Sequence, residues 1–275
     1  MAGAWSYLIL FAAGGVAGTL NVVAAGGSML TLPVLIFVGL PATVANGTNR
    51  VAILVQNIGA VWGFHRHRMV EWRWVPWAAL PAVAGAAVGA WAAVRAGDRS
   101  FERILAAIMV AAVLWSIWGP KRKRSITGPP TSFAGTEATA EAVVWPYPST
   151  SRANTDDLHP PRRSTFVLAL FLVGMYGGFV QAGVGFLLLG VAALLGLDFV
   201  RGNALKVLVV LAFTPLALAL FAASGKVEWA PGFALAAGNF LGGLLGVRLT
   251  VLKGHRWIRR VVTATILAFA VALWI

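Results

Sequence analysis

Displaced along itself by 157 residues, the sequence aligns without a gap from about position 24 to 118. Gly26 falls on Gly183, Leu30 on Leu187, Gly39-Leu40 on Gly196-Leu197 and Asn46 on Asn203. Farther on, Val70-Glu71-Trp72 falls on Val227-Glu228-Trp229, Gly85 on Gly242, Gly89 on Gly246 and Arg103 on Arg260. Matched alanines or valines would mean little in so apolar a chain. A shared tripeptide and aligned glycines across several segments fix a register, and a chain with that register folds as two copies of one unit.

The solvent of that unit is lipid. The chain is 59% hydrophobic and 11% charged, with mean hydropathy +0.80, more apolar surface than one soluble core can hide. Uncharged or nearly uncharged runs stand at about 5–25, 43–64, 74–94 and 103–118, then at 164–182, 184–199, 203–223, 229–250 and 257–275. A spanning helix needs about 20 apolar residues. The stretch 28–40, which carries Pro33 and ends in Gly39-Leu40-Pro41, is long enough only for a short or re-entrant segment. The N-terminus lacks the basic region and small-residue cleavage site of a signal peptide, so the run from Trp5 reads as a retained helix.

The formal charge of +13 raises nucleic acid as a partner, but the basic residues sit in short gaps between apolar runs, at 65–73, 121–124 and 253–260. That is the pattern of cytoplasmic loops, so a lipid bilayer and no nucleic acid is the expected environment. With those gaps placed inside, 17 Lys and Arg lie on the cytoplasmic side and five (Arg50, Arg95, Arg99, Arg103, Lys226) on the other. The loop with Arg66, Arg68 and Arg73 then faces the opposite compartment from its repeat partner with Lys226. The expected fold is an all-α polytopic membrane protein of two inverted repeats, each of about five membrane segments, opened by a short or re-entrant hairpin. The first repeat is 1–118 and the second 164–275; 119–163, beginning near Lys-Arg-Lys-Arg and rich in Gly, Pro, Ser and Thr, reads as a disordered cytoplasmic linker.

Inverted repeats point to secondary transport, with the substrate at the midplane where the halves meet and helices are interrupted. The matching interruptions are Ala24-Ala25-Gly26-Gly27-Ser28 and Gln181-Ala182-Gly183-Val184-Gly185. Glycine permits the reversal and leaves N–H groups open at the start of the following helix, where anions bind. Beside each tip by repeat position lies a polar helix start: Asn46-Gly47-Thr48-Asn49-Arg50 and Asn203-Ala204-Leu205-Lys206. Asn46 and Arg50 are four apart, Asn203 and Lys206 three apart, so each amide shares a face with a cation. The candidate substrate contacts are therefore Gly26, Gly27, Ser28, Asn46, Thr48, Asn49, Arg50, Gln181, Gly183, Gly185, Asn203 and Lys206, around a small anionic substrate. The bland alternative has the cations snorkelling to an interface and the amides bonding between helices. Gln56, Asn57, Thr214 and Asn239 are further polar groups in apolar surroundings.

The acids and histidines fall in loops or at helix ends, which leaves no intramembrane proton relay. Export of an anion down a negative-inside potential needs none. With no cysteine, no clustered His, Asp and Glu and no phosphate-binding loop, neither a metal, a cofactor, an enzyme nor an ATP-driven pump is expected. An anion channel remains the alternative, and a homodimer is compatible with such a chain.

The stretch AAGGSMLTLPVLIFVGLPATVANGTNRV (24–51), with its echo VQAGVGFLLLGVAALLGLDFVRGNALKV, resembles the TauE/SafE family of sulfite exporters. The resemblance covers nearly the whole chain outside 119–163, and the glycine tip followed by Pro33 and Asn46-Gly47-Thr48 are its most specific parts. It implies a multi-pass plasma-membrane protein that moves sulfite or small organosulfonates.

Overall fold

The structure, a computed structural model, describes residues 4–24, 26–107, 163–195, 197 and 199–272, with the backbone alone at 4, 24, 163 and 252–272. The linker expected at 119–163 lies outside these residues except for its last position, as does the run at 103–118 beyond 107.

In chain order the helices are α1 (Ala4–Ala24), α2 (Ser28–Phe37), α3 (Ala42–Arg66), α4 (Val75–Arg95, entered through a 3-10 turn at Trp72–Trp74), α5 (98–107 in its described part), α6 (Arg163–Phe179), α7 (Val184–Leu194), α8 (Phe199–Ala223) and α9 (Trp229–Ala272). No strand occurs among the described residues. Among the described residues, four stretches are long and apolar enough to cross a membrane: Trp5–Val23, Trp72–Arg95, Phe199–Ala223 and Trp229–Val251.

Two expected boundaries are corrected. The run at 184–199 is not one span: α7 stops at Leu194, and α8 starts at Phe199. Averaged hydropathy does not register that break, because Asp198 is a lone charge between apolar stretches on both sides. At the other end, the basic gap at 253–260 does not separate two helices; α9 continues through it to Ala272. The gap contains no proline and a single glycine, and charge alone does not stop a helix.

Both short helices are too short to span. α2 has 10 residues and α7 has 11, which gives each about 15 Å against a hydrocarbon core of about 30 Å. Each starts at a glycine tip. Gly183 takes φ +74°, open to glycine and strained for an L side chain, and directs the chain from α6 into α7. Gly39, at φ +103°, ends α2 in a left-handed cap, with Leu40 N–H returned to Leu35 O at 3.2 Å.

α3 and α8 form the centre and pack on each other. α3 also packs on α9, and α8 on α4; outside them α1 lies along α9 and α6 along α4. The outer pairs approach backbone to backbone. A Cβ on Gly85 or Gly89 would collide with the carbonyls of Phe171 or Met175, and one on Gly238 or Gly242 with those of Phe11 or Gly15. Small residues permit that approach in a bilayer, where packing rather than water exclusion drives helix association. The perimeter is apolar: Trp5, Phe37, Leu80 and Leu194 are between 70% and 93% exposed. In a bilayer that surface meets lipid. Arg95 lies 4.0 Å over Trp91 and Arg66 5.7 Å over Trp62, near helix ends where amphipathic rings and basic heads meet the interface.

Polar contacts gather in the loops and at the helix ends. At one end, Asp98 accepts from Thr43 N–H (3.2 Å) and Thr43 Oγ1 (2.5 Å), and Lys226 Nζ reaches Ala96 O at 3.5 Å. At the other, Arg201 pairs with Glu71 at 2.8 Å.

Candidate functional site

The breaks before α2 and α7 matter because both short helices begin at one small cavity between the halves. Its lining is Asn21 from the end of α1, Ser28 from the start of α2, Ile53 and Asn57 from the middle of α3, Gln181 from the tip, Val184 and Gly185 from the start of α7, and Lys206 and Val210 from α8. It has room for about one water molecule. Ser28, Val184 and Gly185 stand in the first turns of their helices, whose N–H groups a helix cannot pair internally. Two helix N-termini and one ammonium thus converge on a single volume, an arrangement that favours an anion.

Lys206 is almost fully buried. Its Nζ donates to Asn21 O (2.7 Å), Val22 O (3.4 Å) and Asn203 Oδ1 (2.7 Å). The first two are carbonyls of the last turn of α1, which carry partial negative charge and lack partners along the helix. Among the described residues the buried charged side chains are Arg50 and Lys206, and no carboxylate or histidine is buried with them.

Arg50 performs the same service for the other broken helix. Its guanidinium donates to Gly177 O (3.3 Å) and Gly178 O (2.5 Å), and Asn46 Nδ2 donates to Phe179 O (2.8 Å). Cζ lies 4.6 Å from the Phe221 ring centroid. The carbonyl end of α6 is therefore held by α3, and that of α1 by α8. The cation of each half serves the helix break of the other half, whereas repeat position alone had set each beside its own tip.

Of the residues anticipated from sequence, Ser28, Gln181, Gly185 and Lys206 line the cavity. Asn203 touches it through Lys206. Asn49 accepts a hydrogen bond from Thr31 Oγ1 (2.7 Å), and Thr48 Oγ1 accepts from Glu228 N–H (2.9 Å), which ties α3 to the loop before α9. Asn46 and Arg50 do not line the cavity. Gly27 lies against Ala17 O and Asn21, Gly26 faces Phe186, and Gly183 supplies the turn. These three shape the tips.

Sequence reasoning missed Asn21 as a lining group. Its Nδ2 donates to Gln56 Oε1 at 3.2 Å. The available signal was an amide in the last turn of an otherwise apolar run. Asn57 stood out only as a polar residue in apolar surroundings, and Ile53, Val184 and Val210 carry no chemical mark at all.

A family model described as Sulfite exporter TauE/SafE matches residues 10–273. Among similar curated proteins, the Haemophilus influenzae "Probable membrane transporter protein" is 26% identical over 259 residues, covering 92% of this chain and 89% of that protein. "Probable membrane transporter protein ORF9" of a Sinorhizobium species is 26% identical over 266 residues, covering 96% and 90%. "Probable membrane transporter protein YfcA" of Escherichia coli is 26% identical over 257 residues, covering 91% and 83%. No solved structure matches.

Proposed function

The chain belongs to the sulfite exporter TauE/SafE family of membrane transporters, and from that premise we propose that it carries a small sulfur oxyanion, sulfite or a small organosulfonate, out of the cell across the plasma membrane. The observation that carries this is the cavity where the starts of α2 and α7 meet Lys206. An oxyanion offers several acceptor oxygens, matched here by helix N–H groups and one ammonium. The substrate passes through chemically unchanged.

Two inverted repeats arranged about that cavity are part of the proposal. Support comes from the equal length of α3 and α8, whose bounds 42–66 and 199–223 differ by the same 157 residues at both ends. The lining pairs Ser28 with Gly185 and Ile53 with Val210 keep that displacement. The helix partnerships exchange in the same way, α1 on α9 and α6 on α4. A volume with room for about one water molecule favours a carrier that rearranges around its substrate over a standing pore. Asn46 and Arg50 hold α6 in place, while Asn21, Ser28, Gln181 and Lys206 meet the anion.

Without a buried acid or histidine among the described residues, the driving force assigned here is the membrane potential, about 2.3 kcal/mol per charge per 100 mV. The test uses proteoliposomes loaded in turn with sulfite, methanesulfonate, sulfate and thiosulfate, at equal pH on both sides and under imposed potentials. Saturable efflux of sulfite or the sulfonate that quickens with a negative interior is expected. Flux indifferent to potential but following a pH gradient would contradict potential-driven export, and large single-channel currents would establish a channel instead.

A further inference from the structure

Gln181 sits at the tip between α6 and α7, about 1% exposed, and lines the cavity. The hydrogen-bond network fixes which way its amide points. Thr214 Oγ1 lies 2.6 Å from Val210 O, to which it donates its only proton. Thr214 can therefore only accept from Gln181, and the Gln181 atom 3.1 Å away is the amide nitrogen. The amide oxygen is left facing the other way, and the protein supplies it with no donor.

The rest of the lining is mixed. Lys206 is a donor only and the helix starts at Ser28, Val184 and Gly185 present N–H groups, whereas Asn57 and Asn21, whose Nδ2 groups donate to Ile53 O at 2.8 Å and Gln56 Oε1 at 3.2 Å, have their amide oxygens left to offer. The site thus offers one full positive charge, several donors and a few amide acceptors, among which Gln181 Oε1 is the one fully buried and in want of a proton. A doubly charged oxyanion meets only half its charge there and sets an oxygen against the Gln181 oxygen. A singly charged oxyanion that retains one O–H satisfies both.

We propose that the site selects hydrogen sulfite, the singly protonated form, with Lys206 holding the charge and Gln181 Oε1 accepting the O–H. This rests on the sulfur-oxyanion function proposed above and names which form of that substrate is bound. Gln181 acts as a specificity-determining residue, because a sulfonate of equal charge but without an O–H leaves its oxygen unpaired, the kind of mismatch by which a polar site rejects an analogue.

The test uses the full chain in proteoliposomes, with equal pH inside and out and a fixed potential. Initial rates of sulfite efflux are measured across the second ionisation of sulfurous acid, beside methanesulfonate, which stays singly charged and lacks the O–H, and sulfate, which stays doubly charged. Over this range the only groups in hydrogen-bonding contact with the Lys206 ammonium are the α1 carbonyls and Asn203, and no buried carboxylate or histidine faces it among the described residues. The methanesulfonate rate corrects for any titration of the protein itself.

The expected result is a sulfite rate, relative to methanesulfonate, that falls with rising pH in proportion to hydrogen sulfite, with one charge moved per sulfur. Gln181→Met should cut the hydrogen sulfite to methanesulfonate preference about tenfold, the worth of one neutral hydrogen bond. That ratio is measured within one preparation and is independent of how much variant folds. A sulfite rate that rises as the dianion replaces hydrogen sulfite, or a preference unchanged by Gln181→Met, would overturn the proposal while leaving sulfur-oxyanion transport standing. Absence of flux for all three anions would overturn the function itself, and this selectivity with it.

Discussion

Lys206 Nζ donates to the backbone carbonyl of Asn21 at 2.7 Å, although the two residues are 185 positions apart and belong to different halves of the chain. One ammonium both closes the carbonyl end of a broken helix and stands in the wall of the cavity. An anion entering there competes with those carbonyls for the same charge. Under the proposed function, anion binding and the hold of α8 on α1 are linked for that reason.

Arg50 has the structural half of that role without the cavity half. Arg50→Ala removes donors from the buried carbonyls of Gly177 and Gly178, at a cost of about 2–4 kcal/mol for charged hydrogen bonds lost in a dry interior. Thermal unfolding in detergent should show a lowered midpoint, with partial recovery in Arg50→Lys. The fraction that still transports should keep its KM within about twofold. A large rise in KM at unchanged stability would place Arg50 in contact with substrate.

At the end of the molecule away from Glu71, the hydrogen bond from Thr43 holds the Asp98 carboxyl below the usual carboxylate range, with Lys226 acting in the same direction and partial desolvation opposing. A depressed folded pKa means stability that is present above the unfolded value and lost as pH falls through the folded one. Asp98→Ala should cost at most about 1 kcal/mol near neutral pH, because the carboxylate is exposed. The gap between wild type and variant should close as acid protonates Asp98. Unfolding midpoints across an acid series check this; a gap that widens in acid would be the wrong sign.

Helix contact between α4 and α6 depends on the absence of side-chain atoms at a few positions. In Gly85→Val the new Cβ meets Phe171 O and Met175 N, both main chain, so relief requires the helices to part. A loss of about 3 kcal/mol is expected from such overpacking, seen as a lowered melting temperature and fewer monodisperse particles in size-exclusion chromatography. Gly97→Ala, which meets nothing within 4 Å, serves as the control and should behave as wild type.

The membrane character, the two glycine tips and Lys206 beside one of them were legible in the sequence because each leaves a local mark: a hydrophobic run, a Gly-Gly or Gly-Val-Gly break, a cation among aliphatics. Which tip each cation serves was not. Arg50 follows Asn46 by four residues in the first half, so sequence adjacency points to the first tip, whereas α3 packs beside the end of α6. That crossing is a property of how two halves assemble, and a single repeat does not encode it.

The cavity wall shows the same divide. Asn21 aligns with Gly178, so the repeat that exposed Asn46 and Asn203 gave no echo to draw attention to it. Ile53 and Val210 are ordinary aliphatics whose role comes only from position. The turn after Leu194 and the continuation of α9 through 253–260 were hidden for a related reason: hydropathy reports contact with lipid, while helix ends follow backbone hydrogen bonding, and here the two do not coincide.

The central claim is that the cavity beside Lys206 is where the anion is carried. Efflux of sulfite from proteoliposomes under a negative-inside potential, compared between wild type and Lys206→Met at matched amounts of monodisperse protein, tests it most directly. Saturable efflux by wild type and a loss of at least about tenfold in the variant is the expected result, in keeping with removal of one charged hydrogen bond to the substrate. A Lys206→Met protein that exports sulfite at the wild-type rate would contradict the account.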